Sequence, residues 1–382
     1  MKIARVDVHV LRSSLERPFA YSQGWVRERC TTLVEIETDD GIVGWGEGLC
    51  VGLQPPQIAA AVIRSAFAPL LLGADPRETE VMWHRLYTHA RDYGMKGSVI
   101  TALSGVDIAL WDIAGKALGV PVHRLLGGAF RRRIEAYATG FYRTTGRGEA
   151  ARLASEAERH RESGFRIMKV KTGFGIDDDL AVMRAVHAAA GEDATLMIDS
   201  NHAYGVADAV RLGRALESMN LRWYEEPVVP EDRKGYAEVR RKLDIPIAGG
   251  ECEYTGYGFR ELLDERAIDI AQPDICQTGG FTACRHIVAL CHVHGVQVNP
   301  HVWGSAVGQA ASVQLLAAVP LAHPSLYATE PILEYDCSAH PFRSDLVRQP
   351  VVQHGGWVEV PDRPGIGVEI DRAVLQRFRV NA

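Results

Sequence analysis

The stretch Ala194-Thr-Leu-Met-Ile-Asp199 is apolar up to its last residue, which is a carboxylate. The same arrangement occurs 26 residues later in Leu221-Arg-Trp-Tyr-Glu225, and 26 residues after that in Pro246-Ile-Ala-Gly-Gly-Glu251. A repeat of this length accommodates one strand, one helix and two loops, which is the unit of a (β/α)8 barrel. The spacing therefore predicts three consecutive parallel strands, each ending in an acid.

The three acids point to a metal site. Residues at the C-terminal ends of barrel strands project into one shared mouth. Asp199, Glu225 and Glu251 would repel one another there unless a cation lay between them. Oxygen-only ligands suit a hard divalent ion such as Mg²⁺ better than zinc or copper. A single acid of this kind is more often a helix cap or a solvated loop residue, but three at matched spacing favour metal binding.

Composition narrows the class of protein. The 382 residues suffice for a barrel and a smaller companion domain, and the net charge of -6 gives no basic surface for nucleic acid. The sequence has no apolar run of the roughly 18 residues that a membrane span needs and no signal-peptide pattern. Seven cysteines without CxxC spacing indicate reduced thiols, so we expect a cytoplasmic protein without membrane or nucleic-acid partners.

Residues 1–125 are predicted to form an N-terminal α+β domain. Residues 3–10 alternate as a half-buried strand does, and Asp39-Asp40-Gly41 is a hairpin signal between two further strands. The polar and aromatic stretch Pro18–Arg29 is interpreted as a long loop. Helical patterns follow at 56–72, 76–90 and 98–118, the last ending at Gly119.

Residues 126–330 are predicted to form the parallel barrel, because short strands alternate with helices there. Helical stretches include 147–163, 177–190, 206–219 and 279–294. Residues 331–382, rich in Pro, Gly and Val, are expected to fold back on the first domain. The eight predicted strands are 135–139, 166–171, 194–199, 221–226, 246–251, 268–273, 295–300 and 326–330.

Two lysines end the second predicted strand. Residues two apart in a strand face the same side, so Lys169 and Lys171 should both point into the mouth. A Lys-x-Lys pair is usually solvated surface, but its place at a strand end before Gly173 favours a site. A neighbouring cation and a metal would lower the pKa of such a lysine and let it act as a base.

The later strands contribute a candidate dyad. Asp274 follows the sixth predicted strand and His301 follows the seventh, so neighbouring strands place them side by side. A carboxylate bonded to an imidazole fixes its tautomer and raises its basicity. Glu330, at the end of the eighth predicted strand, is expected to add a polar contact across the mouth.

These residues together resemble the enolase superfamily, in particular its mandelate racemase subgroup. The resemblance covers nearly the whole chain and includes Thr101–Asp112 and Gly365–Ile370. Other segments are similar to the galactarolactone cycloisomerase branch, whose members open an aldaric acid lactone by eliminating the ring oxygen. Those segments are Tyr137-Ala-Thr-Gly140, Glu225-Glu-Pro-Val-Val-Pro-Glu231, Pro300-His-Val-Trp-Gly304 and Glu330-Pro-Ile-Leu-Glu-Tyr-Asp336.

The resemblance implies an α/β fold, a (β/α)7β modified TIM barrel with an N-terminal α+β capping domain, and a Mg²⁺ cofactor. It also implies abstraction of the proton alpha to a carboxylate. Lys171 and His301 would flank the alpha carbon as base and acid, Asp274 would orient His301, and Lys169 with the metal would bind the carboxylate. The enediolate would then undergo beta-elimination to a 2-keto-3-deoxy acid.

The substrate implied is a small acid sugar or aldarolactone, with acid-sugar dehydratase and racemase or epimerase as alternatives. Asn201, His202 and Trp303 are candidate substrate contacts, and the segments 18–29 and 50–56 are expected to close over the substrate. Cys252–Thr255 departs from the cycloisomerase pattern. We also expect a homo-oligomer. A Schiff-base aldolase using Lys171 and a non-catalytic sugar-acid binding protein stay open as other readings.

Overall fold

A long antiparallel hairpin begins the computed structural model, which describes residues 1–380. Strands β1 (Ile3–Tyr21) and β2 (Gly24–Thr38) form it, and β3 (Val43–Gly48) joins β2 through the predicted turn. The expected loop at 18–29 is wrong, since Phe19 pairs with Val26 and Tyr21 with Gly24. Backbone pairing extends the hairpin through this segment, in which the side chains of Phe19 and Val26 are buried in a small apolar cluster with Tyr142 and Trp303.

Helices cover one face of this sheet. The longest of them, α4 (Ser98–Leu118), crosses β3 closely. A Cβ atom on Gly46 of β3 would lie 1.9 Å from the carbonyl oxygen of Gly105 in α4, so β3 needs glycine at this position. That helix has a mean hydropathy of 1.3, enough to span a membrane, but 89% of its apolar window is buried within the protein. Its hydropathy therefore reflects packing in the domain core. The helices are α1 (Pro56–Val62), a π-helical turn (Ile63–Phe67), α2 (Ala68–Leu71), α3 (Thr79–Ala90), α4 (Ser98–Leu118) and α5 (Val122–Leu125).

Eight parallel strands alternating with seven helices form the second region, which confirms the (β/α)7β barrel. Each strand pairs with the next from β4 to β10, and β11 pairs back with β4. Between β10 and β11, the Asn299 side chain accepts a 2.7 Å hydrogen bond from the Ile332 amide. The strands are β4 (Arg133–Thr139), β5 (Ile167–Lys171), β6 (Thr195–Asp199), β7 (Tyr224–Glu225), β8 (Ile247–Gly249), β9 (Ile270–Ala271), β10 (Gln297–Val298) and β11 (Leu333–Asp336). The helices are α6 (Ala150–Glu162), α7 (Ile176–Ala190), α8 (Val206–Leu216), α9 (Arg233–Lys242), α10 (Thr255–Asp264), α11 (Gly280–Val293) and α12 (Ala306–Ala317).

The eighth strand differs from its prediction. It spans Leu333–Asp336, beyond residue 330 where we expected the barrel to end. Glu330 is exposed and bonds to Arg131, while its carbonyl oxygen accepts from Arg222, which lies just before β7. Glu330 therefore precedes its strand, at the end of the barrel opposite the mouth, and its expected place in the site is wrong.

Carboxylates of the N-terminal region cap barrel helices. Glu47 of β3 accepts from the amides of Ser305 and Gly308 at the start of α12. Asp107 of α4 accepts from the amide of Thr282 at the start of α11. Negative charge at a helix N-terminus is favourable, so these contacts fix the two regions against each other around the mouth.

The C-terminal segment contacts both regions. It contains β12 (Gln353–His354), β13 (Trp357–Glu359) and β14 (Arg379–Val380), with α13 (Pro341–Ser344) and α14 (Arg372–Phe378). β14 pairs with β1 and β13 pairs with β4. The tail thus folds back on the first domain and also on the barrel.

Candidate active site

The three predicted metal acids converge at the barrel mouth. Register places Lys171 beside Asp199 and Asp199 beside Glu225, and Glu251 follows β8 by two residues. One oxygen from each of Asp199, Glu225 and Glu251 lies within 4.8 Å of the other two. The matched sequence spacing therefore corresponds to a shared position in space.

Lys169 occupies the base of the mouth and is fully buried. Its Nζ donates to Glu225 Oε1 at 2.5 Å and contacts Glu334 Oε1 at 2.7 Å. Burial alone would lower the pKa of Lys169, but Glu225 and Glu334 outweigh it and raise the pKa well above its usual value. Lys169 is thus a permanent cation that holds two carboxylates together.

Lys171 lies one pleat higher and lines the cavity. Its Nζ donates to Asp199 Oδ2 and, at 2.9 Å, to Asn201 Oδ1. The expected lowering of the pKa of Lys171 depends on a bound metal and stays a prediction. Burial lowers the pKa of Lys171, but Asp199, Tyr142 and Glu251 together outweigh it and the net shift is upward. Our expectation assumed a cation that cancels the charge of Asp199.

The predicted dyad forms. His301 Nδ1 lies 2.7 Å from Asp274 Oδ2, and His301 Nε2 lies 3.6 Å from Glu251 Oε2. Asp274 is fixed in turn by the amide of Cys276, which donates to its other oxygen at 2.7 Å. Burial disfavours the imidazolium, yet Glu251, Glu334 and Asp274 together raise the pKa of His301 to about 10.

The donor set fits a hard cation. Burial raises the pKa of Glu225 to about 7, with Asp199 adding to the shift and Lys169 opposing it. Glu225 Oε2 accepts from Trp223 and Gln272, whereas Glu251 Oε2 has no hydrogen-bond partner among the described residues. A buried carboxylate oxygen without a donor is costly. A divalent ion bound by the triad would remove that cost and the mutual repulsion.

A cavity of about 290 Å³ opens above these groups. The hairpin tip supplies Tyr21 and Gln23, and the segment after β3 supplies Leu49 to Gln54. Gln23 Nε2 donates to the carbonyl of Asn201 at 2.7 Å, which ties the tip to the loop after β6. Both segments expected to cover the substrate therefore line the mouth, although the first is a hairpin and not a loop.

The three candidate substrate contacts also line this cavity. The Asn201 side chain is engaged by Lys171, His202 is half-buried, and Trp303 Nε1 donates to the Tyr142 hydroxyl at 2.7 Å. Trp303 belongs to an aromatic wall, with Arg29 stacked 4.3 Å above its ring.

Sequence reasoning missed Glu334. Its Oε1 accepts from Thr139 at 2.7 Å and its Oε2 accepts from the Val302 amide at 2.8 Å, which makes it the carboxylate that β11 contributes. The signal was the alternation of Ile332 to Asp336, which we quoted only as part of a resemblance. The strand-alternation argument that placed Lys169 and Lys171, applied to that run, would have indicated Glu334.

Two protein-family models match this chain, one over the N-terminal region and one over the barrel and most of the C-terminal segment. Residues 5–127 match the mandelate racemase/muconate lactonizing enzyme N-terminal domain, and residues 152–374 match the enolase C-terminal domain-like family. The chain belongs to the enolase superfamily. It is an isomerase or lyase of that superfamily, and the family resemblance drawn from the sequence is confirmed.

Individual relatives are similar over most of their length. The chain is 44% identical to D-galactarolactone cycloisomerase of Agrobacterium fabrum, covering 100% of this chain and 99% of the relative. It is 32% identical to arabinonate dehydratase of Saccharolobus solfataricus, and the match covers 90% of this chain and 89% of the relative.

Two solved structures share the fold of this superfamily member. The 3,6-anhydro-D-galactonate cycloisomerase of Zobellia galactanivorans superposes with a TM-score of 0.90 at 38% identity, covering 100% of both chains. A Streptomyces coelicolor racemase with bound magnesium superposes with a TM-score of 0.89 at 30% identity, covering 99% of this chain and all of the other.

Proposed function

We propose that this enzyme removes the proton alpha to the carboxylate of an acid sugar or aldarolactone and then eliminates the beta oxygen. The observation that carries the proposal is the placement of Lys171 and His301 on one cavity with Glu251 of the acid triad. Two proton-transfer groups beside a cation site are what enediolate chemistry needs. The identity to a galactarolactone cycloisomerase supports a lactone as the substrate.

Asp199, Glu225 and Glu251 would hold Mg²⁺. When bound, the ion supplies positive charge that stabilises the enediolate and competes with Lys171 for Asp199. Lys169 keeps Glu225 in position through its 2.5 Å contact. Because Lys169 is fully buried, we assign it chiefly the placement of Glu225 and Glu334, and its contact with the substrate carboxylate stays a prediction.

Proton transfer falls to the groups at the cavity surface. One of Lys171 Nζ and His301 Nε2 takes the alpha proton, and the C–H electron pair enters the enediolate. The other delivers a proton to the leaving oxygen as the bond from that oxygen to the beta carbon breaks. The resulting enol tautomerises to a 2-keto-3-deoxy acid. Asp274 holds His301 through Nδ1, which leaves Nε2 directed at the substrate.

The substrate contacts Asn201, His202 and Trp303 complete this proposal. Asn201 orients Lys171 through its 2.9 Å bond, and Trp303 presents a flat apolar wall braced by Tyr142. A lactone ring packed on that wall would expose its carboxylate toward the triad.

The test is a panel of aldarolactones and acid sugars with Mg²⁺, followed by NMR in D2O. Ring opening of an aldarolactone with deuterium entering C3 of the product is expected. Absence of both turnover and alpha-proton exchange across the panel would contradict the proposal and favour a binding protein. Borohydride trapping of a substrate on Lys171 would favour a Schiff-base aldolase instead.

Acid-sugar dehydration is the second candidate, and the arabinonate dehydratase relative supports it. It uses the same proton abstraction, but a beta hydroxyl leaves instead of a ring oxygen. Consumption of open-chain acids with lactones untouched would decide for it. Inversion at the alpha carbon without loss of oxygen would identify a racemase or epimerase.

A further inference from the structure

A second cluster of ligand-type side chains lies next to the acid triad. Glu226 directly follows Glu225, Cys252 directly follows Glu251, and His202 lies three residues after Asp199. One ligand atom from each of His202, Glu226 and Cys252 lies within 4.8 Å of the other two. The proposed elimination chemistry uses neither Glu226 nor Cys252.

Glu226 lacks the contacts that a buried carboxylate requires. It is 1% exposed, and neither of its oxygens receives a hydrogen bond from an amide, hydroxyl or amine of the described residues. His202 Nε2 lies 4.0 Å from Glu226 Oε2, beyond hydrogen-bond distance, and the neighbouring Cys252 thiol is a weak donor. Lys169 and Lys171 do not reach Glu226, because they bond to other carboxylates. One cation at the triad would therefore leave Glu226 uncompensated.

The backbone holds the cluster in an uncommon conformation. His202 has φ of 53° and Glu226 has φ of 42°, in the left-handed region that non-glycine residues rarely occupy. The amide of His202 donates to the carbonyl of Glu226 at 2.8 Å, and the amide of Glu226 donates to that of Ala248 at 3.0 Å. These bonds hold the loops after β6 and β7 against each other, so that the side chains of His202 and Glu226 are adjacent. The left-handed backbone conformations cost free energy, and such strained residues are typical of functional sites.

We propose that His202, Glu226 and Cys252 form a second cation site, distinct from the triad, for a borderline divalent ion such as Zn²⁺. Imidazole, thiolate and carboxylate together are a zinc donor set, whereas the all-oxygen triad suits Mg²⁺. His202 and Cys252 line the cavity, so three protein ligands leave a further position open toward it.

Cobalt titration of the chelator-treated full chain tests this site without any turnover assay. The wild-type protein should bind two equivalents of Co²⁺ per chain and develop a near-ultraviolet thiolate-to-cobalt absorption band. Cys252→Ser should lose the band and one equivalent. Cys337→Ser, a partly exposed cysteine elsewhere in the chain, should keep both and serves as the matched control.

The Glu225→Gln variant tests whether Cys252 belongs to a separate site or instead coordinates the ion bound by the acid triad. It should weaken the triad and keep the thiolate band. Loss of the band in Glu225→Gln would overturn the proposal, because the sulfur would then belong to the triad ion. A wild-type titration with one equivalent and no band would also overturn it, and leaves the proposed elimination chemistry untouched.

Discussion

The floor and the rim of the barrel mouth use the same residue types differently. The floor, defined as Lys169, Glu225 and Glu334, is fully buried, and its ammonium contacts both carboxylates within 2.7 Å. The rim, defined as Lys171, His301 and Glu251, lines the cavity, and no donor among the described residues hydrogen-bonds to Glu251 Oε2. Two lysines separated by one residue therefore differ in their access to the cavity, although neighbouring carboxylates raise the pKa of both.

Depth along a single strand accounts for the difference. Lys169 and Lys171 share one face of β5, but only the later residue reaches beyond the layer of neighbouring carboxylates into the cavity. A cation enclosed by acids stabilises the arrangement and resists losing its proton. A cation at a cavity surface can exchange its proton with a ligand. We therefore assign a structural role to the floor residues and proton transfer to the rim residues.

The largest expected effect is on turnover at the rim. Lys171→Ala should lower kcat by about 10²- to 10⁴-fold, because it removes one proton-transfer group and leaves the metal acids in place. The measurement is turnover of the lead substrate from the panel, with circular dichroism to confirm folding. Lys242→Ala on the exposed side of α9 is the matched control and should be unaffected. Activity within a few-fold of wild type would remove Lys171 from the proton-transfer pair.

The next largest effect is expected on the free energy of unfolding when the floor loses its cation. Lys169→Met leaves Glu225 and Glu334 buried without their shared cation, and removing one partner of a buried pair costs about 3–5 kcal/mol. Urea unfolding in the presence of chelator measures this loss. Lys171→Met should cost clearly less, since Asp199 still lies 3.8 Å from Lys169 and accepts from the Asn201 amide. Equal losses in both variants would erase the distinction between floor and rim.

A smaller effect is expected where floor and triad overlap. Glu225→Gln removes one charged ligand, so Mg²⁺ affinity should fall by at least about tenfold and the turnover rate should fall with it. Isothermal titration with Mg²⁺ gives the affinity. Glu238→Gln on α9 is a matched surface control. Unchanged affinity in Glu225→Gln would exclude it as a ligand.

The sequence predicted the parts of this site that depend on periodicity. Asp199, Glu225 and Glu251 were placed by their spacing, and Lys169 and Lys171 by strand alternation, because a regular barrel converts equal spacing into equal height. Glu330 failed for the same reason. Its strand starts at Leu333, seven residues later than the expected start at 326, and this shift moved Glu330 from the mouth to the opposite end of the barrel.

What the sequence could not supply was long-range pairing and net electrostatics. The stretch 18–29 is polar in composition, and its strand structure depends on pairing across the hairpin. The pKa of Lys171 depends on which charges lie nearby, and Asp199, Tyr142 and Glu251 together outweigh burial and Lys169. Neither property can be read from local sequence, because each is set by residues that the fold brings together.

The smallest effect concerns pH in the metal-free protein. The pKa of Glu225 is raised to about 7, so the folded protein holds a proton that the unfolded chain releases near pH 4.5. Stability should therefore fall as pH rises from about 5 to 7, by at most about 1.4 kcal/mol per pH unit for one proton. His301, with its pKa raised to about 10, extends the fall above pH 6.5. Urea unfolding with chelator across this range measures the slope.

Glu225→Gln should reduce the part of that slope below pH 6.5 by the contribution of one proton, since glutamine does not titrate. Saturating Mg²⁺ should also flatten it, because a bound cation favours the charged carboxylate and brings its folded pKa back below the window. Asp199 and Glu334 have lowered pKa values, so their contributions change only in more acidic solution. Glu226 and Asp107, by contrast, have raised pKa values and contribute to the slope in both wild type and Glu225→Gln. A slope between pH 5 and 7 that is the same in wild type and Glu225→Gln would mean that the floor is already charged without metal, and that Lys169 alone balances it.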